Sequence, residues 1–157
     1  MKVLYKMFNN LRIIFALLIV ITLVSCGSGP EPINYGHDEC EFCRMLITDN
    51  KYGAELVTNK GKIYKFDSIE CMVEFSLVKN TLGDTNNKLL ITDFYNPGNF
   101  IDPRNSFYVK NDEFRSPMGL NVTAFNGDEL AQKFISANGG ERLSWVEVIE
   151  LVKQRSM

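Results

Sequence analysis

The apolar and polar positions over residues 52–58 and 62–66 mark two short strand candidates, and Asn59-Lys60-Gly61 between them has the chemistry of a hairpin turn. A helical pattern follows. Ile69, Met72, Val73 and Leu77 share one side of a helix, Cys71, Phe75 and Val78 form a second stripe, and Glu70 and Glu74 fall on the polar arc between them. Asp67 is the expected N-cap of that helix, with Glu70 three positions on completing a capping box. Residues 88–95 read as a strand, closed by the turn residues Asn96-Pro97-Gly98.

A similar order follows. Residues 106–110 and 121–125 are strands, and Asn126 with Glu129 caps a helix to about Ala137 that Gly139-Gly140 ends. Residues 141–143 form a short last strand, and the capping box Ser144 to Glu147 opens a final amphipathic helix to about Lys153. Laying residues 66–70 over 125–129 also brings Phe75 onto Phe134. The pattern predicts an α+β fold of two similar ββαβ half-domains, a degenerate duplication, with a C-terminal helix added.

The N-terminus sets the compartment. Lys2, Lys6 and Arg12 precede an apolar run over residues 13–24 broken only by Thr22, which is short for a bilayer span and suited to a signal peptide. It ends in Leu23-Val24-Ser25-Cys26, which resembles a bacterial lipobox. In such a sequence the cysteine is lipidated and becomes the mature N-terminus, so Cys26 is assigned to lipid attachment. The expected organisation is a signal peptide over 1–25 and a lipidated cysteine with a flexible Gly/Pro tether over 26–37. The half-domains then occupy 38–100 and 101–157.

Removing residues 1–25 takes away three cations and no acid, so the formal charge moves from −2 to −5. An acidic chain without a Lys/Arg cluster is a poor nucleic-acid binder. The single histidine, His37, belongs to no Ser/His/Asp set, and the carboxylates are spread along the chain. Neither an enzyme nor a small-molecule substrate is indicated.

Chemistry concentrates in sulfur. Cys40-Glu41-Phe42-Cys43-Arg44-Met45 places two thiols and a thioether within six residues, Cys71-Met72 adds another pair, and Met118 sits in the turn Ser116-Pro117-Met118-Gly119. With Cys26 lipidated, three thiols remain, so any disulfide pair leaves one over. A closed zinc site needs four ligands, and only a Cys3His set with His37 can be drawn. A thioredoxin-like centre needs its Cys-x-x-Cys at a helix N-terminus after a strand, and no such unit precedes Cys40. Thiolate and thioether ligands select Cu(I). On this reading Cys40, Cys43, Met45 and Met118 are the leading ligands, with His37, Cys71 and Met72 behind them. Thiol–disulfide exchange by Cys40 and Cys43 on a membrane-tethered protein stays open, as does a Cys40–Cys43 staple in a structural lipoprotein.

These residues resemble the NosL family, the accessory lipoproteins of nitrous oxide reductase. The likeness runs from Cys40-Glu41-Phe42-Cys43-Arg44-Met45-Leu46-Ile47 through Gly61-Lys62 and Phe66-Asp67-Ser68-Ile69-Glu70-Cys71-Met72. It continues in Tyr108-Val109-Lys110-Asn111, Ser116-Pro117-Met118-Gly119 and Ala124-Phe125, reaching Trp145. The resemblance implies a lipid-anchored Cu(I) metallochaperone of the periplasm that supplies nitrous oxide reductase. It matches Met118 to the family's Pro-Met-Gly methionine and Cys40, Cys43 and Met45 to its Cys-x-x-Cys-x-Met segment. Tethering at the membrane would also make copper pick-up from a membrane exporter local.

Overall fold

The computed structural model describes residues 29–156, so the expected signal peptide and Cys26 lie outside the described residues. Four antiparallel strands form the first sheet: β1 (Ala54–Val57), β2 (Ile63–Phe66), β3 (Lys88–Asp93) and β4 (Asn96–Ile101), in the order β2-β1-β3-β4. Helix α1 (Ile69–Val78) follows β2. A 3-10 turn over Pro103–Asn105 leads to the second sheet, built from β5 (Phe107–Lys110), β6 (Val122–Phe125) and β7 (Glu141–Leu143) in the order β6-β5-β7. Helix α2 (Asp128–Asn138) precedes β7, and α3 (Trp145–Arg155) follows it.

The α+β class is as expected, and each unit runs strand, strand, helix, strand, with its first strand central. The sequence overlay of 66–70 on 125–129 pairs the last residues of β2 and β6 and the first helical residues Ile69 and Asp128. The first unit adds β4. Asn96-Pro97-Gly98, expected as a turn, lies in that strand instead, and the chain reverses at Phe94 and Tyr95. Asp93 makes the earlier reversal possible, because its carboxylate accepts from the Tyr95 N–H at 3.3 Å and the Asn96 amide at 2.8 Å. Pro97 is tolerated because β4 is an edge strand whose register shifts beside it.

The two sheets share a core. Leu56, Phe66, Leu89 and Ile91 of the first pack in one cluster with Tyr108, Val122, Ala124 and Leu143 of the second, and Val148 and Val152 of α3 complete it. A second cluster is aromatic: the Phe94 ring lies 5.5 Å from Phe134, 5.7 Å from Phe125 and 5.8 Å from Phe114, all edge-on. Edge-on contact is the favoured geometry for ring quadrupoles.

The expected tether is bound from Glu31 onward. The Glu31 N–H donates to Glu55 Oε1 at 3.2 Å, Lys65 Nζ donates to the Pro32 carbonyl at 3.0 Å, and Ile33 is buried. Gly53 admits this segment: a Cβ there would stand 2.7 Å from Ile33 Cδ1 and 2.6 Å from the Tyr35 hydroxyl.

Candidate metal centre

The Cys-x-x-Cys segment is a tight turn sewn to β2. Cys40 N–H donates to the Met45 carbonyl at 2.8 Å, and Arg44 N–H donates back to the Cys40 carbonyl at 3.0 Å. Arg44 takes the left-handed conformation, φ 64°, which lets the chain fold back so sharply. Glu41 N–H donates to the Lys65 carbonyl at 2.8 Å, docking the turn beside the end of β2. That end runs into Asp67 and the first turn of α1, where Cys71 lies. Cys40 and Cys43 from one turn and Cys71 from the helix are thereby gathered together.

One ligand atom each from Cys40, Cys43, Asp67 and Cys71 lies within 4.8 Å of the others. Cys40, Asp67 and Cys71 are buried, and Cys43 is half-buried. Asp67 is the residue that sequence patterning assigned elsewhere. It is not the helix cap; Ser68 is, accepting from the Cys71 N–H at 3.4 Å. The Asp67 carboxylate is occupied on both oxygens, accepting from the Cys43 thiol at 3.4 Å and from the Ser68 hydroxyl at 3.1 Å. The sequence held one hint of this. Asp67 and Ser68 are both good caps, only one can cap, and the spare side chain is a carboxylate at the level of the thiols.

The thiols are unequal. The neighbouring Cys71 thiol, with the backbone N–H groups of Asp67, Cys43 and Phe42, lowers Cys40 to about 6 against the cost of burial. Burial and the nearby Cys40 and Asp67 charges push Cys43 up to about 11. The neighbouring Cys40 sulfur and burial hold Cys71 up as a thiol. Of the three thiols, Cys40 is the one whose surroundings favour ionisation.

The other sulfur residues are placed differently. Met45 is 46% exposed, and Met72, at 0%, belongs to the core. His37 is exposed and stands outside the four-residue group, so the fourth donor beside the three thiols is a carboxylate and not an imidazole. Met118 is half-buried and packs against the core cluster that contains Cys40 and Cys71. Its turn is fastened to α1 through Glu70, expected on the polar arc but only 3% exposed. Glu70 Oε1 accepts from the Ser116 hydroxyl at 2.5 Å and from the Leu120 N–H at 3.0 Å, and with Ser68 as the cap Glu70 is one position short of a capping box. These partners lie 46 and 50 residues away, beyond any local pattern.

A family model, NosL, matches residues 33–152, a span that holds all four clustered residues and Met118. The chain belongs to the NosL family. As a NosL protein it is 26% identical over a 158-residue alignment to the copper-binding lipoprotein NosL of Stutzerimonas stutzeri, covering 91% of this chain and 82% of the relative. Its fold matches the crystal structure of the copper chaperone NosL from Shewanella denitrificans with a TM-score of 0.63 and 25% identity. That match covers 76% of this chain and 95% of the other. Among the described residues, this NosL chain has no helix long and apolar enough to cross a membrane.

Proposed function

We propose that this chain is a Cu(I) metallochaperone, anchored to a membrane through lipid on Cys26, with its domain facing the periplasm and its copper destined for nitrous oxide reductase. The observation that carries this reading is the gathering of three cysteine sulfurs and the Asp67 carboxylate within 4.8 Å of one another. Soft sulfur in a largely buried site favours Cu(I) over harder cations. Membership of a family whose relatives are described as a copper-binding lipoprotein and a copper chaperone supports it.

The residues suggest a sequence of steps. Cys40, the thiol whose surroundings favour ionisation, captures the metal. A second sulfur, Cys43, must lose its proton to bind, and Asp67, which already accepts its hydrogen bond, is placed to receive it. Met118 closes the site loosely as a thioether. Release follows by ligand exchange through half-buried Cys43, with the acceptor's ligands replacing the chaperone's one at a time. Cys71 is the third thiol, while His37 stands outside the cluster, Met45 is exposed and Met72 is buried in the core.

The test is Cu(I) titration of the full-length, reduced protein in detergent against a chromophoric chelator. Cys40→Ser and Cys43→Ser should each weaken binding strongly, and Met118→Leu moderately. Cu(I) affinity no higher than that of a variant lacking Cys40, Cys43 and Cys71 would sink the reading. One observation favours a second reading, thiol–disulfide exchange: the free Cys40 and Cys43 sulfurs lie within 4.8 Å of each other, and Cys40 is the thiol whose surroundings lower its pKa. An exchange protein would be indifferent to Met118→Leu, so the same titration separates the two.

A further inference from the structure

The turn that presents Met118 is closed on itself before it meets anything else. Gly119 N–H donates to the Ser116 carbonyl at 3.0 Å, Asn121 N–H donates to the Ser116 hydroxyl at 2.9 Å, and Ser116 N–H donates to the Asn121 side-chain oxygen at 3.2 Å. Gly119 and Asn121 both take left-handed backbone conformations, φ 76° and 61°. These bonds fix the shape of the turn. They do not fix where the turn sits relative to the cysteines.

That second task falls to side chains from the two helices. Glu70 Oε1 receives the Ser116 hydroxyl and the Leu120 N–H, so a single oxygen grips the chain two residues before and two residues after Met118. The carboxylate belongs to the residue immediately before Cys71, and it is almost wholly buried. Its other oxygen, Oε2, is buried with no partner. A buried carboxylate with one idle oxygen is a costly way to stabilise a fold. An apolar side chain would fill the space more favourably, but it could not hold the turn. On the far side Arg155 of α3 donates to the Met118 carbonyl at 2.9 Å.

We infer that Glu70 is the positioning residue for Met118: it holds the Ser116–Leu120 turn against the first turn of α1, so that the thioether and Cys71 are set by one side chain. The inference rests on the reading of Met118 as a Cu(I) ligand. It assigns Glu70 no contact with the metal. Because both donors converge on Oε1 and Oε2 has no partner, glutamine can perform the same function with its amide oxygen. Alanine cannot.

The experiment is a Cu(I) competition titration of the full-length, reduced protein, with each variant made in the wild-type and in the Met118→Leu background. Glu70→Ala should weaken Cu(I) binding on the order of tenfold, the scale of losing an outer-shell partner. Glu70→Gln should restore most of that loss. In the Met118→Leu background Glu70→Ala should cost nothing more, because there is no thioether left to position. Ser116→Ala removes one donor at less risk to folding and should show the same dependence on Met118. An equal loss in both backgrounds would make Glu70 a structural residue and overturn the inference, as would unchanged affinity in both Glu70→Ala and Ser116→Ala. If Met118→Leu alone leaves affinity unchanged, the ligand reading fails, and the inference falls with it. The two failures are told apart by whether Met118→Leu weakens binding.

Discussion

The Cys71 thiol lies within 4.8 Å of the sulfur of Cys40, and as the neighbouring donor it is the largest cause lowering Cys40 to about 6. Removing the donor should return Cys40 to or above the ordinary thiol value of about 8.5, since burial alone disfavours the thiolate. Thiolate absorbance of the reduced, metal-free protein measures this directly. Cys71→Ala should abolish the step near pH 6, and Cys71→Ser, which keeps a donor, should largely preserve it. A step unmoved in Cys71→Ala would show that backbone donors suffice.

Glu55 is fully buried in the central strand of the first sheet, and burial pushes its carboxyl up to about 7. Only Oε1 has a partner, the Glu31 N–H, although Lys65 lies opposite on β2. Between about pH 4.5 and 7 the folded chain holds a proton that the unfolded chain has released. The stability from this group is therefore present below pH 4.5 and is lost as pH rises through 7, a change of at most about 3 kcal/mol. Denaturant melts at pH 5 and pH 8 should show wild type losing more stability than Glu55→Gln over that interval. Parallel pH curves for the two proteins would refute it.

Gly139 and Gly140 end α2 with positive φ, 73° and 116°, but they differ in what surrounds them. A Cβ at Gly140 would lie 2.7 Å from Val109 Cγ1 and 2.8 Å from the Lys110 carbonyl, whereas one at Gly139 meets nothing within 4 Å. Gly139→Ala should cost about 1 kcal/mol for the conformation alone. Gly140→Ala should cost clearly more, because backbone must shift. Thermal melts rank the pair, and equal losses would contradict the steric difference.

Phe94 stands at the hairpin reversal with its ring in the aromatic cluster, edge-on to Tyr52, Phe114, Phe125 and Phe134. Phe94→Ala should cost about 3–5 kcal/mol, the range for emptying a buried aromatic site. Phe94→Leu should recover more than half of that loss. Chemical denaturation measures both.

Much of the fold was legible because strand alternation, helix period and terminal chemistry are local. The Ser144–Glu147 capping box forms as read, and Gly139 ends α2. What local pattern could not resolve was competition between local and distant partners. Asp67 and Ser68 offer equal capping chemistry, and the choice is made by Cys43, 24 residues away. Glu70 looks like a capping-box acid until Ser116 and Leu120 arrive from the second unit. Pro97 and Gly98 carry turn signals, yet Asp93 turns the chain first. In the site, the cysteine spacing announced metal chemistry, but the carboxylate beside it was concealed by its suitability for a commoner role. Met45 and Met72 shared the cysteines' neighbourhood in sequence, while the folded chain leaves one exposed and the other in the core.

The docking of residues from Glu31 onward along the first sheet has a consequence for reach. With lipid on Cys26 as proposed, the step from Cys26 to Glu31 can span at most about 17 Å by covalent geometry. That is roughly half the diameter of a domain this size. The copper site would then patrol a thin layer just above the lipid headgroups and could not rise to meet a partner in the open compartment. A soluble acceptor would have to descend to the bilayer surface to be loaded, so delivery would be a visit paid by the enzyme and not by the chaperone.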